Sequence, residues 1–305
     1  MTASLAVDPG AQNLRGIALM TVSMALFAFE DMFLKLAAVS LPPGQIVFLS
    51  GTLGALVFAV LARLNGERVI TRGLWHPAVV ARNIGEMVGS LGYIIALATL
   101  PLATVSAVLQ ATPLAVTLGA ALFLREQVGW RRWLAIGIGF AGVLLVIRPG
   151  MEGFRPEALW VLLSVAGIGL RDLATRRISV AASTNQISAW GLMAVALLGA
   201  LMMAATGDVV RPEPAQVGFL AGVLIFGTAG YWAVTAATRQ AEISVVAPFR
   251  YMRLLFALIV AVTVFSERPD IVTLSGAALI IGSGLYAFAR ERARQRALSL
   301  GASAR

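Results

Sequence analysis

Apolar residues fill this chain in long blocks, which short polar or proline-containing stretches separate. A helix needs about 20 predominantly apolar residues to cross the hydrocarbon core of a bilayer. Blocks of about that length recur along the whole chain with few charges inside them. The pattern predicts an all-α polytopic membrane protein with ten transmembrane helices, at 14–37, 44–62, 77–98, 103–123, 130–148, 157–175, 186–206, 216–237, 244–265 and 271–289.

Composition supports a membrane protein and excludes several other classes. Apolar residues make up 59% of the 305 residues and charged residues 13%, against roughly 45–50% and about 25% in soluble domains. There is no cysteine and one histidine, His76, so disulfides, thiolate clusters and multi-histidine metal sites are excluded, and we expect no metal or cofactor. The first 13 residues do not resemble a cleavable signal peptide.

The net charge of +9 is explained by membrane topology rather than by nucleic-acid binding, because most arginines lie between the apolar blocks. With the N-terminus inside, fifteen arginines fall in inside segments and four in outside loops. We therefore predict a multi-pass protein of the cell inner membrane with both termini in the cytoplasm.

The two halves of the chain are related by an internal repeat. An offset of 141 residues aligns polar residues without a gap, including Ser23 with Ser164, Asp31 with Asp172, Gln45 with Gln186 and Glu126 with Glu267. Each repeat holds five helices, an odd number, so the second repeat must cross the bilayer in the opposite direction. We predict a cytoplasmic tail at 1–13, repeats at 14–148 and 157–289, and a basic cytoplasmic tail at 290–305.

Three motifs carry a resemblance to a known family. The fourth helix of each repeat ends in a glutamate, Glu126 or Glu267; a glycine-rich fifth helix follows; and the first helix carries Phe29-Glu30-Asp31 with Lys35. These features resemble the EamA-like branch of the drug/metabolite transporter superfamily. The resemblance implies a ten-helix secondary transporter, not an enzyme, whose cargo is a small metabolite such as an amino acid derivative or the vitamin riboflavin.

Ionisable side chains within the apolar blocks are functional candidates, because charge is costly inside a membrane. Six of them form pairs four residues apart on one helix, where they either neutralise each other or serve a cargo or ion. These pairs are Asp31 with Lys35, Arg82 with Glu86, and Asp172 with Arg176.

Glu30 has no opposite charge four residues away, and the offset of 141 residues matches it with Arg171. A carboxylate buried in low dielectric favours its neutral form. We predict that Glu30 couples transport to protons and that Arg171 pairs with it in one conformation only.

Polar residues of the fourth, eighth and ninth helices, together with Tyr93 of the third, form a second group of candidates. Arg250 and Arg253, with Tyr251 between them and Pro248 before them, suit an anionic cargo or else anchor the helix at the cytoplasmic side. The remaining residues either bind a flat cargo or pack between helices, and these are Tyr93, Gln110, Tyr231 and Trp232.

Two other classes of function compete with a transporter. Lys35 is the single lysine and lies outside any Walker A motif, so we expect no ATP-driven pump. A channel or structural subunit remains an alternative, and a membrane-embedded transferase is disfavoured because the carboxylates are scattered. The expected partners are a small-molecule cargo, the lipid bilayer and protons, for a monomer or homodimer.

The predicted topology can be tested with reporter fusions. Fusions after Leu5 and after Ser299 should report the cytoplasm, because both tails precede or follow basic inside segments, and a fusion at Gln45 should report the outside. A cytoplasmic signal at Gln45 would overturn the ten-helix arrangement with an inside N-terminus.

Overall fold

The structure is a computed structural model that describes residues 9–123, 129–150, 154–178, 182–241 and 243–303. Within these ranges all regular structure is helical. Short 3₁₀ turns occupy Arg72–Trp75 and Ala247–Tyr251. The helices are α1 Pro9–Ala38, α2 Pro43–Leu64, α3 Pro77–Thr99, α4 Leu102–Leu109, α5 Thr112–Phe123, α6 Trp130–Ile147, α7 Ala158–Thr175, α8 Thr184–Thr206, α9 Pro214–Gln240, α10 Ile243–Val246, α11 Met252–Thr263 and α12 Ile271–Ser303.

The described helices form ten transmembrane segments, as the apolar blocks predict. Eight are long and apolar enough to cross a membrane, with α4 and α5 counted as one span. The other two depart from a simple apolar helix for visible reasons. Helix α3 carries Arg82 and Glu86, and the α10–α11 segment is interrupted by a 3₁₀ turn at Pro248.

The two ends of the chain extend the outer helices beyond the predicted spans. Helix α1 begins at Pro9, and α12 continues to Ser303 rather than ending near residue 289. Residues 290–303, predicted as a tail, are therefore helical. Ten successive crossings place both chain ends on one side of the bundle, called here the termini face. The opposite side, which holds the α1–α2 and α11–α12 connections, is called the distal face.

Packing between the repeats follows a pseudo-two-fold axis. Helix α1 packs on α9 and α3 packs on α7, which are equivalent pairs because each joins the first helix of one repeat to the third helix of the other. The second, fourth and fifth helices pack on their own counterparts, in the pairs α2–α8, α4–α11 and α6–α12. This arrangement is the one expected for inverted repeats.

Individual side chains repeat the same symmetry. Gln45 Nε2 donates to the carbonyl of Val210 at 2.6 Å, and its counterpart Gln186 Nε2 donates to the carbonyl of Arg68 at 2.7 Å. Each glutamine therefore ties its own repeat to a connection of the other repeat.

Glycines allow the closest helix contacts between the repeats. A Cβ added at Gly199 would lie 2.2 Å from the backbone nitrogen of Phe48, and one at Gly167 would lie 2.3 Å from that of Gly89. Lipid provides little hydrophobic force to join helices, so close backbone approach between small residues is the main source of packing energy.

Candidate functional site

Two broken helices meet in the middle of the bundle. Helix α4 ends at Leu109 and α5 begins at Thr112, while the 3₁₀ turn around Pro248 ends at Tyr251, where α11 follows. Gln110 and Tyr251 occupy equivalent positions in the two repeats, and Gln110 Nε2 donates to the carbonyl of Tyr251 at 3.3 Å. Interrupted helices free backbone groups, and such irregular backbone at membrane depth is tolerated where it lines a cavity or lies inside protein.

Asp31 is the centre of a buried cluster beside this break. Its side chain is 1% exposed, and Arg253 binds it through Nη2 at 2.7 Å and through Nε at 3.2 Å. The hydroxyl of Tyr93 donates to the same carboxylate. The guanidinium of Arg253 also lies over the ring of Phe27, 5.3 Å from its centroid.

The expected pair of Asp31 with Lys35 is wrong. A guanidinium fork satisfies both carboxylate oxygens of Asp31, and Lys35 extends toward the distal face instead. Its Nζ donates to the carbonyl of Leu97 at 3.3 Å and lies 3.7 Å from Oε1 of Glu267.

Glu267 closes the distal face around the start of α4. Its carboxylate accepts hydrogen bonds from the backbone nitrogens of Leu102 at 2.7 Å and Ala103 at 3.0 Å, which caps that helix. The same carboxylate holds Lys35 of α1, so one residue joins three segments of the bundle. Its repeat counterpart, Glu126, lies outside the described residues.

A second charged cluster lies toward the termini face. Arg171 Nη1 is 3.3 Å from Glu86, and Arg171 Nε is 2.9 Å from Asp172. Arg82 Nη2 is 3.2 Å from Glu86, so the predicted pair of Arg82 with Glu86 is confirmed. In this conformation Arg171 pairs with Glu86 and Asp172 and does not pair with Glu30.

Glu30 differs from these carboxylates. Among the described residues, none donates a hydrogen bond to it and no cation lies within ion-pair distance. Its carboxylate lies against the backbone of α9 at Gly227, where an added Cβ would come within 2.6 Å of Glu30 Oε1. The nearest charge of opposite sign that acts on it is Arg253, which is already bound to Asp31.

The remaining candidates fall in three different environments. Arg250 is exposed on the 3₁₀ turn. The hydroxyl of Tyr251 is buried and has no hydrogen-bond partner among the described residues. The hydroxyl of Tyr231 lies 2.6 Å from Ser188 Oγ and packs between helices. Trp232 is 68% exposed on the outer side of α9, with Val217 and Ile225, and does not join the cluster.

Equivalent residues of the two repeats differ in exposure. Asp31 lies near the distal end of α1 and is 1% exposed, whereas its counterpart Asp172 lies near the termini end of α7 and is 39% exposed. The structure is therefore closed toward the distal face and more open toward the termini face.

A cavity of about 300 Å³ opens on the distal face, away from the Asp31 cluster, between the ends of the two repeats. Glu267, Arg155 and Arg268 contribute to its lining. Arg148 binds Asp270 at the start of α12, and this hydrogen bond lowers the pKa of Asp270 to about 2. The contact links the last residue of the first repeat to the last helix of the second.

Comparison with known proteins identifies a family match over most of the chain. The profile of the EamA-like transporter family matches residues 14–148 and again residues 155–288. A solved crystal structure superimposes with a TM-score of 0.57 at 20% identity, covering 92% of this chain and 98% of that chain, which supports the fold.

Curated relatives are similar at low identity. An S-adenosylmethionine uptake transporter of Rickettsia felis is 24% identical, over 92% of this chain and 94% of the relative. A riboflavin transporter of Rhizobium johnstonii is 28% identical over 77% of each chain. A pseudopaline exporter of Pseudomonas aeruginosa is 26% identical, over 87% of this chain and 93% of the relative.

Replacing Asp31 by asparagine should destabilise the protein strongly. The change leaves the Arg253 guanidinium in the bundle without its counter-charge, and breaking a buried pair in this way costs about 3–5 kcal/mol. Thermal unfolding of the purified protein in detergent measures the loss. The matched control is Asp172→Asn at the equivalent, more exposed position, where Arg171 keeps Glu86. Equal losses in the two variants would contradict the central role of the Asp31–Arg253 pair.

Proposed function

Because the chain belongs to the EamA-like transporter family, a family of membrane transporters and not of enzymes, we propose that it is a secondary active transporter working by alternating access. It carries a small metabolite across the cell inner membrane, with the termini face in the cytoplasm. Two inverted repeats that exchange conformations turn an inward-open state into an outward-open one.

The observation that carries this proposal is the difference between equivalent groups of the two repeats. Asp31 is enclosed by Arg253 and Tyr93, while Asp172 is exposed beside Arg171. If the repeats exchange conformations, the distal half opens as the termini half closes, and the central groups face each side in turn. The Lys35–Glu267 contact is then the closure that must separate in the outward-open state.

The cargo is proposed to be an amino acid derivative or a vitamin such as riboflavin. The relatives named above move S-adenosylmethionine, riboflavin and pseudopaline, which supports a metabolite of small size. Arg253 is occupied by Asp31, so of the two arginines on this segment Arg250 is the one free to meet an anionic group of the cargo. Among the described residues it has no ion-pair partner, and it is exposed beside the break.

Coupling to protons is assigned to Glu30. A carboxylate with no donor and no close counter-charge in a low-dielectric bundle gains most from taking up a proton. Movement of α1 against α9 would change its surroundings between the two states, and the proton affinity would change with conformation, as coupling requires.

Transport in proteoliposomes tests both parts of the proposal. A metabolite panel that includes S-adenosylmethionine and riboflavin is first screened by thermal shift, since bound cargo raises the melting temperature. The wild type should then show saturable uptake, countertransport and a response to an imposed pH gradient. Glu30→Gln should still exchange cargo at equal pH but should no longer respond to the gradient.

The matched control is Glu157→Gln, an exposed glutamate outside the cluster, which should behave like the wild type. Flux that neither saturates nor shows countertransport would indicate a channel and contradict alternating access. Full gradient response in Glu30→Gln would place the coupling group elsewhere.

A further inference from the structure

We infer that the cargo of this transporter carries an organic cationic group, and that Glu30 binds it. The inference deepens the proposed function and rests on it. It specifies the class of cargo as amphoteric: a cationic group at Glu30 and an anionic group at Arg250. Its basis is a counter-charge that one repeat contains and the other lacks.

The two contacts between first and third helices show this difference. The offset of 141 residues pairs Arg171 with Glu30 and Glu86 with Gly227. On the α3–α7 contact, the first helix supplies Arg171 and the third supplies Glu86, and they form an ion pair at 3.3 Å. On the equivalent α1–α9 contact, the first helix supplies Glu30 and the third supplies only a glycine.

Glu30 is therefore one member of an ion pair whose other member is missing from the protein. Gly227 has no side chain to offer, and the carboxylate lies directly against the α9 backbone. Charges in the rest of the cluster are matched: Asp31 with Arg253, and Glu86 with both Arg82 and Arg171. An uncompensated carboxylate inside a bundle is costly unless a cation arrives to pair with it.

The surroundings of Glu30 suit an organic cation. Phe27 lies one helical turn before Glu30 and already holds the Arg253 guanidinium over its ring at 5.3 Å. The same ring packs against Gly230, one turn after Gly227 on α9. A carboxylate next to an aromatic face combines the two attractions that bind guanidinium and alkylammonium groups. A proton would use only the carboxylate.

The second uncompensated charge is Arg250. It is exposed at the 3₁₀ turn, one helical turn before Arg253. The cluster thus presents a free carboxylate on α1 and a free guanidinium on the broken ninth segment, with the paired Asp31 and Arg253 between them. A small molecule with a cationic and an anionic group would complete both.

The test measures binding of a simple cation and its neutral isostere to the full-length protein in detergent. The probes are n-butylguanidinium and n-butylurea, and the readout is the concentration dependence of the melting temperature. In Gly227→Ala the new Cβ would lie 2.6 Å from Glu30 Oε1, so the flexible carboxylate must move while its charge is kept. Gly218→Ala on the same helix is the matched control, because an added Cβ there meets no atom within 4 Å.

n-Butylguanidinium should stabilise the wild type and Gly218→Ala equally. Its apparent affinity should be at least about tenfold weaker in Gly227→Ala and in Glu30→Gln, as expected for loss of a charge-assisted hydrogen bond. n-Butylurea should stabilise none of them. Glu30→Gln carries the test alone if Gly227→Ala does not fold.

Failure to stabilise the wild type, equal affinity in Glu30→Gln, or equal binding of n-butylurea would each overturn the cation site. This binding requires no vesicle and no gradient, so its outcome is independent of whether transport is active and proton-coupled. If Glu30→Gln loses the gradient response yet binds n-butylguanidinium like the wild type, the coupling role stands and the cation site falls.

Discussion

Charge placed inside a membrane bundle must be neutralised, and the Asp31–Arg253 pair is where this constraint shapes the protein most. Asp31 lies on the first helix and Arg253 on the broken ninth segment, 222 residues apart in sequence. Tyr93 of the third helix completes the set. The pair therefore fixes the position of the α4–α11 break relative to α1 and α3. Everything that can bind cargo is arranged around this neutral centre.

The inverted repeat gives the protein two nearly equivalent halves, and function depends on where they differ. Gln45 and Gln186 make the same bond in each half, which holds the framework in common. Glu30 and Arg171 are equivalent in position but opposite in charge, and only Arg171 has a partner of its own. A symmetric scaffold thus supports a chemically asymmetric site, in which one half is complete and the other requires a ligand.

The fold could be predicted from the sequence because its causes are local or periodic. Apolar block length set the ten segments, and matched Asp, Gln and Glu residues at one offset gave the repeat. The ion pairs could not be predicted in the same way. Four-residue spacing shows only that Asp31 and Lys35 share a face, and the competing partners belong to distant helices. Trp232 shared its composition with cavity residues but faces outward. Gly227 was readable from the offset, since it stands opposite Glu86, yet a missing side chain gives no signal by itself.

The account requires one central site that faces each side of the membrane in turn, and thiol labelling tests this most directly because the chain has no cysteine. A single Gln110→Cys variant places the thiol at the break between α4 and α5. It would be treated with a membrane-impermeant thiol reagent in inside-out and in right-side-out vesicles, with and without cargo. The account predicts labelling from both sides, with cargo shifting the two rates in opposite directions. Labelling from one side only, or equal changes in both rates, would contradict alternating access.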